Sequence, residues 1–357
     1  MRGYSHDSSR RHSTLEIRIK TVIGLVLVMS FILGVSFQAG AQEKLLKVGV
    51  RLGDVSLNKL PFMIAYDHGI YKRNGLDVEQ LIDRSAAEVV ARSGVIVPEH
   101  LILKGRRPDL PISIGGCCPM MVRLITEAGA DKPIVIACTD PIVRWHIVSR
   151  SDITKPEQLK GKRLGYSSYG AVTHFIALAF AKIMGWDPVH DLSLMSGGLN
   201  VESLQKGHTD AFVASELHET MAMAAGFRDL LDLSQYNIPN AGSSVLVNRA
   251  WLKNNREAAL RFVKSTVEAL AFLNKDKKAA FSSMVKWFDL KDPKLQEYFY
   301  KKVEAIPHKP YPPFDGIKKV MEIYDCHEMR KYKPEDFYDA SFVRELDQSG
   351  YINSLYR

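Results

Sequence analysis

The chain has 357 residues, enough for two domains. Hydrophobic residues make up 46% and charged residues 25%, which excludes a disordered chain, a collagen-like repeat and a multi-spanning membrane protein. Lys and Arg outnumber Asp and Glu by 48 to 40, without a polybasic block, so the charge gives nucleic acid no foothold.

Residues 1–20 carry Arg2, Arg10, Arg11, Arg18 and Lys20, and an apolar run from Thr21 to Phe37 leads to Ala39-Gly40-Ala41. This reads as a secretory signal peptide over 1–41, cleaved after Ala41, with an uncleaved membrane anchor as the alternative. Ser9-Arg10-Arg11 is similar to a twin-arginine export motif, but Ser13 and Thr14 stand where that motif carries apolar residues. Removing 1–41 takes away five Lys or Arg and two Asp or Glu, leaving a mildly basic +5. The cysteines, at 117, 118, 138 and 326, are too sparse for a disulfide framework, so the core must come from packing.

Along the mature chain, strand-like runs alternate with helical patterns. The runs are 46–50, 110–116, 132–138, 144–149, 162–166, 210–214 and 243–248. Strand followed by helix, repeated, predicts mostly parallel sheets flanked by helices. In 171–184, Val172, Phe175, Ile176, Ala179, Phe180 and Ile183 recur at helical spacing, and Gly185 is placed to end the helix. A second helix is expected to begin near Asn254, with Glu257 closing a capping box. Pro61 suits a first helical turn, Gly69 a helix end, and Asn74-Gly75 a turn before an extended segment.

The stretch Pro61 to Glu79 (PFMIAYDHGIYKRNGLDVE) resembles the first helix and second strand of the solute-binding proteins of nitrate-, taurine- and alkanesulfonate-type ABC importers. Leu159 to Gly165, Leu204 to Ala211 and Asp339 to Ile352 resemble later blocks of that family in the same order. The resemblance implies an α/β fold of two lobes, type II among periplasmic binding proteins: lobe one over 42–147 and 245–357, lobe two over 148–244. The chain would cross between them near 140–148 and 241–248, and a small organic ligand would sit in the cleft as the lobes close. It further implies a monomer in the periplasm that passes its ligand to an ABC permease with a cytoplasmic ATPase. No cofactor or nucleic acid is implied.

Candidate ligand contacts follow from residue type and from that resemblance. Gly165 to Gly170 separates a strand from a helix, and Ser167, Ser168, Tyr169 and Gly170 could offer hydroxyls and free N–H groups to an anion at the helix N-terminus. The plain alternative is a Ser cap on a strand-to-helix turn. Tyr166 and Tyr169 would either stack on an aromatic ligand or pack beneath the turn. Opposite, the resemblance places the loop carrying Ser56, Leu57 and Asn58 and the turn carrying Gly116, Cys117 and Cys118, whose cysteines are either buried thiols or a strained disulfide. Arg144 would pair with a carboxylate or sulfonate, and Trp145 would cover the ligand, unless both belong to the surface. Ser215 and Glu216 follow a later strand of lobe two. Together these residues lead to an expected anionic ligand, a sulfonate or carboxylate.

Enzyme motifs are near misses. Ser167 lacks the second glycine of G-x-S-x-G, and no P-loop, H-E-x-x-H or C-x-x-C occurs. His218-Glu219 and Cys326-His327-Glu328 lack metal-site spacing, so no metal is expected. The rival reading is an exported enzyme of the same fold, similar to thiamin-pyrimidine synthases or a hydrolase, using Ser167 or Cys117 with His174 or His146. A third is a sensor or receptor for an aromatic or pyrimidine ligand.

Overall fold

Ten short strands form two separate five-stranded sheets. They are β1 (Leu46–Leu52), β2 (Leu76–Ile82), β3 (Ile112–Gly115), β4 (Ile134–Cys138), β5 (His146–Ser149), β6 (Arg163–Tyr166), β7 (Ser193–Ser196), β8 (Ala211–Ala214), β9 (Arg228–Asp232) and β10 (Ser244–Val247). The computed structural model describes residues 44–357 apart from 92–94, 106, 108, 128 and 131, so the expected signal peptide lies outside the described residues. Among the described residues no helix is long and apolar enough to cross a membrane.

The first sheet has the order β2-β1-β3-β10-β4 and the second β7-β6-β8-β5-β9. In the first, β2 and β3 run parallel to β1, while β10 is antiparallel to both β3 and β4. In the second, β7 and β8 run parallel to β6, while β5 is antiparallel to β8 and β9. Each sheet thus has a single strand against the common direction, and in each it is the strand that enters directly from the other lobe. The chain changes sheets between Cys138 and His146, and again between Asp232 and Ser244.

Sequence pattern accounts for the layering. In β1, Val48, Val50 and Leu52 are buried while Lys47 and Arg51 are exposed. β4, β5, β8 and β10 are buried at every residue, as expected of strands covered on both faces. The helix Val172–Ile183 buries Phe175, Ile176, Ala179 and Phe180. It ends at Gly185, whose φ of +69° only glycine adopts without strain and whose N–H reaches the Lys182 carbonyl.

One expectation fails locally. Asn254 is the last residue of a short helix, Arg249–Asn254, which Asn248 caps by accepting from the Trp251 N–H. The long helix is Arg256–Lys275, and Glu257 pairs with Arg261 rather than closing a capping box. A pair four residues apart on an exposed helix face competes well with a capping box of similar strength.

Lobe one is filled by the long helix, whose Phe262 stacks on Phe62 and Tyr71. A second apolar cluster runs across the lobe boundary. It joins Met121 and Val122 of the helix Cys117–Thr126 and Ile317 and Val320 of the helix Phe314–Ile323 to Phe175 and Ile176 of lobe two.

Candidate site between the lobes

The two crossings run side by side as a hydrogen-bonded ribbon. The Thr139 N–H donates to Ser243 O, the Gly242 N–H to Asp140 O, the Asn240 N–H to Pro141 O and the Val143 N–H to Ile238 O, at 2.8–3.0 Å. This ribbon and the loop after β1 carry a buried polar cluster. Asp140 Oδ2 accepts from Asn58 Nδ2 at 3.1 Å and from Asn240 Nδ2 at 3.2 Å. The Lys59 ammonium, buried, donates to Ser243 Oγ at 2.8 Å and pairs with Asp54 at 2.9 Å. Ser56 Oγ donates to the other oxygen of Asp54.

Burial makes these groups costly, and the electrostatics record it. Desolvation pushes the Asp140 carboxyl up to about 7, against the pull of Arg144 and Lys59. Glu216, the first residue of the helix Glu216–Ala224 in lobe two, is 2% exposed, and burial raises its pKa as well. The charges of Asp54 and Glu216 both act on Asp140 through space and raise its pKa further.

A second polar group joins the lobes farther along the boundary. His146 opens β5 with Nδ1 3.0 Å from Asp229 and Nε2 2.9 Å from Lys302 Nζ, on the helix Pro293–Glu304 of lobe one. Lysine can only donate, so Nε2 accepts and Nδ1 carries the proton toward Asp229. Tyr298 of the same helix donates to Glu219 at 3.0 Å. His146, Glu219 and Asp229 are the residue types of a metal site. The Lys302 ammonium already supplies a cation at that imidazole nitrogen, so the group reads as an ion-pair network. Arg144 Nη2 donates to the Ala305 carbonyl, at the C-terminal end of the same helix, 2.9 Å away.

The structure disperses the residues that the sequence singled out. Asn58 is bonded to Asp140 at the first crossing, Arg144 and Glu216 act on Asp140 through space, Ser56 and Leu57 stand in the adjoining loop, and Ser215 precedes Glu216 with its hydroxyl 2.8 Å from His218 Nδ1. Gly116 and Cys117 back onto the second crossing through the Cys117 N–H to Ala241 O. Cys117 and Cys118 are free, fully buried thiols, and Cys118 together with burial holds the Cys117 thiol well above its ordinary range. Trp145 packs against the boundary cluster with its indole N–H buried and unpartnered.

The turn Ser167 to Gly170 is internally bonded, and the helix it opens reaches the second crossing, since a Cβ on Gly116 would lie 2.1 Å from Val172 Cγ2 and 3.5 Å from Gly242 O. Ser167 shares a 2.7 Å hydrogen bond with Thr173 Oγ1, the Ala171 N–H donates to Ser168 O, and the Gly170 N–H to His174 Nδ1. Ser168 and Tyr169 are exposed. Gly170 abuts lobe one, where a Cβ would lie 2.8 Å from Val122. His174 Nδ1 also takes Tyr324 Oη at 2.9 Å, so neither Ser167 nor Cys117 is paired with a histidine.

Sequence reasoning missed Lys59, Asp140, Asn240 and Ser243. Their signal was position: Asp140, Asn240 and Ser243 sit in the expected crossings, and Lys59 is a lone cation in the run Leu57 to Phe62.

A family profile described as NMT1/THI5-like matches residues 124–280. No curated protein matches the sequence significantly. Among solved structures, the periplasmic nitrate-binding protein of Synechocystis PCC 6803 superposes with a TM-score of 0.67 at 13% identity, covering 88% of this chain and 91% of that one. The chain has the two-lobed fold of the periplasmic binding proteins. The periplasmic aliphatic sulphonate-binding protein of Escherichia coli gives 0.59 at 14% identity, covering 84% and 96%. The desulfurization enzyme DSZB gives 0.55 at 13%, covering 85% and 99%. The resemblance to nitrate- and sulfonate-type binding proteins read from the sequence therefore holds at the level of fold, and that fold also hosts an enzyme.

Proposed function

We propose that this chain is an extracytoplasmic solute-binding protein that takes a small organic molecule between its lobes and delivers it to an ABC permease. The observation that carries this reading is a buried polar cluster where the loop after β1 and both crossings meet, Asn58, Lys59, Asp140, Asn240 and Ser243, with the buried Glu216 of lobe two acting on Asp140 through space. Side chains drawn from four chain segments are costly to bury and gain most when a ligand completes their contacts. Nitrate- and sulfonate-binding neighbours of the same fold support the same reading. Export is part of it: the chain isolated from the periplasm should begin near Gln42.

The test is saturable binding without turnover. Closure favoured by differential affinity should lower the radius of gyration in solution scattering when a solute binds, and a bound solute at 100 times its dissociation constant should add about 2.7 kcal/mol of stability. The enzyme reading, kept in view by DSZB, requires consumption of the solute and its loss in Ser167→Ala or Cys117→Ala. Stoichiometric uptake with the solute recovered unchanged excludes it.

A further inference from the structure

The contact between the lobes at His146 is built so that one proton undoes it. The imidazole is 2% exposed, with Nδ1 3.0 Å from Asp229 Oδ2 and Nε2 2.9 Å from Lys302 Nζ. An ammonium only donates, so the bond across the boundary exists while Nε2 keeps its lone pair. A proton on Nε2 would set N–H against N–H and add a second positive charge beside the first. His174, which also reaches lobe one, differs: its partner at 2.9 Å is the Tyr324 hydroxyl, which can turn to accept, so that contact survives protonation.

The groups around His146 divide unequally between the lobes. In its sheet it stands between Ala214 of β8 and Asp232 of β9. Asp229 and Asp232 of β9 and Glu216 and Glu219 of the helix Glu216–Ala224 are the acids that act on it, with Glu219 Oε2 4.0 Å from Nε2. All four belong to lobe two and travel with the imidazole. Lobe one supplies Lys302, and Tyr298, whose hydroxyl donates to Glu219. Separating the lobes therefore takes the ammonium away and leaves these acids in place. His146 then holds a proton more tightly than it does with the lobes in contact, and by linkage a falling pH favours separation. Burial and Lys302 work to lower the His146 pKa, but Asp229 and Glu219 outweigh them and hold it above the ordinary histidine value, so the exchange falls in neutral to mildly acid solution.

We infer that His146 and Lys302 form a proton-released latch: with the imidazole neutral the lobes are held together, and on its protonation they part. A solute held between the lobes is then bound more weakly in acid, a consequence that rests on the solute-binding reading. The latch itself is tested without any solute, so its failure would leave that reading standing.

Solution scattering of the solute-free mature protein between pH 8 and pH 5 decides the matter, in the parent, His146→Gln and Lys302→Met. The parent should expand as pH falls. His146→Gln offers Lys302 an uncharged acceptor that does not titrate, and should stay compact throughout. Lys302→Met lacks the latch and should be expanded at pH 8 already, with little further change. Asp140 and the remaining histidines also titrate over this range, and His146→Gln keeps them all, so its flat profile assigns the expansion to His146. By NMR, the His146 imidazole should titrate about 1 pH unit higher in Lys302→Met than in the parent, as for loss of a neighbouring like charge. A cooperative melt shows that each variant is folded, and should His146→Gln fail it, the NMR titration decides alone. A parent radius of gyration indifferent to pH overturns the inference. So does a His146→Gln variant that expands as the parent does, or an imidazole that titrates no higher in Lys302→Met.

Discussion

The two lobes share a strand order but bring unlike chemistry to their common boundary. In each sheet the sequence-order pattern is second, first, third, entering strand, last, with only the entering strand reversed. Lobe one and the crossings contribute Lys59, Asn58, Asp140 and Asn240, all buried and joined by hydrogen bonds. Lobe two contributes the buried Glu216, the His146 imidazole bonded to Lys302, Glu219 bonded to Tyr298, and a glycine turn in which Gly170 lies against Val122. Two copies of one topology therefore differ at the boundary: one side holds a buried hydrogen-bonded network that still leaves Asp140 Oδ1 and Asn240 Oδ1 without a donor, and the other meets it with an imidazole, a buried acid and a glycine turn.

The largest effect should come from the support under the crossings. A Cβ on Gly316, in the helix Phe314–Ile323, would lie 2.0 Å from the Asn240 carbonyl oxygen, a backbone atom with no freedom to move aside. Gly316→Ala should destabilise the protein by about 3 kcal/mol in urea unfolding, the upper end for overpacking. A loss below about 0.5 kcal/mol would mean that the second crossing is not braced by this helix.

Next is Asp140, the acid at the centre of the buried network. Its carboxyl is pushed up to about 7 by burial, so the folded chain holds a proton that the unfolded chain releases in the ordinary carboxylate range. The stability this group contributes is present below that ordinary range and is lost as pH rises through about 7. Asp140→Asn removes the buried charge and should be more stable than the parent at pH 8, by on the order of 2 kcal/mol, with the advantage shrinking toward pH 4. Thermal melts at the two pH values check it, and a variant less stable than the parent at pH 8 would show that the ionised carboxylate is needed by Asn58 and Asn240.

A smaller effect tests the bond between the lobes. Lys302→Met keeps the apolar stem on the helix Pro293–Glu304 but removes the ammonium from His146. The cost should be about 1 kcal/mol, as for one exchanged hydrogen bond, and solution scattering of the solute-free protein should show a larger radius of gyration. An unchanged profile would assign the lobe contact to the apolar cluster of Val122, Ile317 and Phe175 instead.

How far the sequence could be read follows the same division. Buried runs such as Ile134–Cys138 and Ala211–Ala214 announce themselves as apolar strings, and the 3.6-residue stripe of Val172–Ile183 locates that helix to within a residue at each end. β7 and β9 escaped notice because they are edge strands, short, partly exposed and mixed in polarity, with Ser193, Met195 and Ser196 facing solvent. Among the candidates, Asn58 and Arg144 could be singled out because the resemblance places their segments at the cleft and crossing, and Glu216 because it follows a strand of lobe two. Lys59, Asp140 and Asn240 were not, since their meaning depends on contacts up to 184 residues apart, as between Lys59 and Ser243. A turn's local appearance also exceeds its information: Ser167-Ser168-Tyr169-Gly170 has every feature of a helix N-terminal anion site, and sequence cannot show where its N–H groups are aimed.

That turn yields the smallest expected effect and the sharpest check on the contrast between the two sides. The Gly170 and Ala171 N–H groups already donate to His174 and Ser168 O, and Ser167 is joined to Thr173, so an anion reaching the Ser167 to Ala171 groups would have to displace those bonds. Ser168 contributes only its carbonyl to this arrangement, and its exposed hydroxyl stands in water that can satisfy it. Ser168→Ala should therefore change stability by less than about 0.5 kcal/mol, as for an ordinary surface substitution, and solute affinity by less than about twofold. Arg144→Ala, by contrast, removes both the bond to Ala305 O and a cation acting on Asp140 and Glu216, and should alter affinity severalfold. Titrating the two variants in parallel with whichever solute binds separates the alternatives. A tenfold loss in Ser168→Ala with none in Arg144→Ala would place the ligand on the turn, and the crossing cluster would then be a hinge support rather than the site.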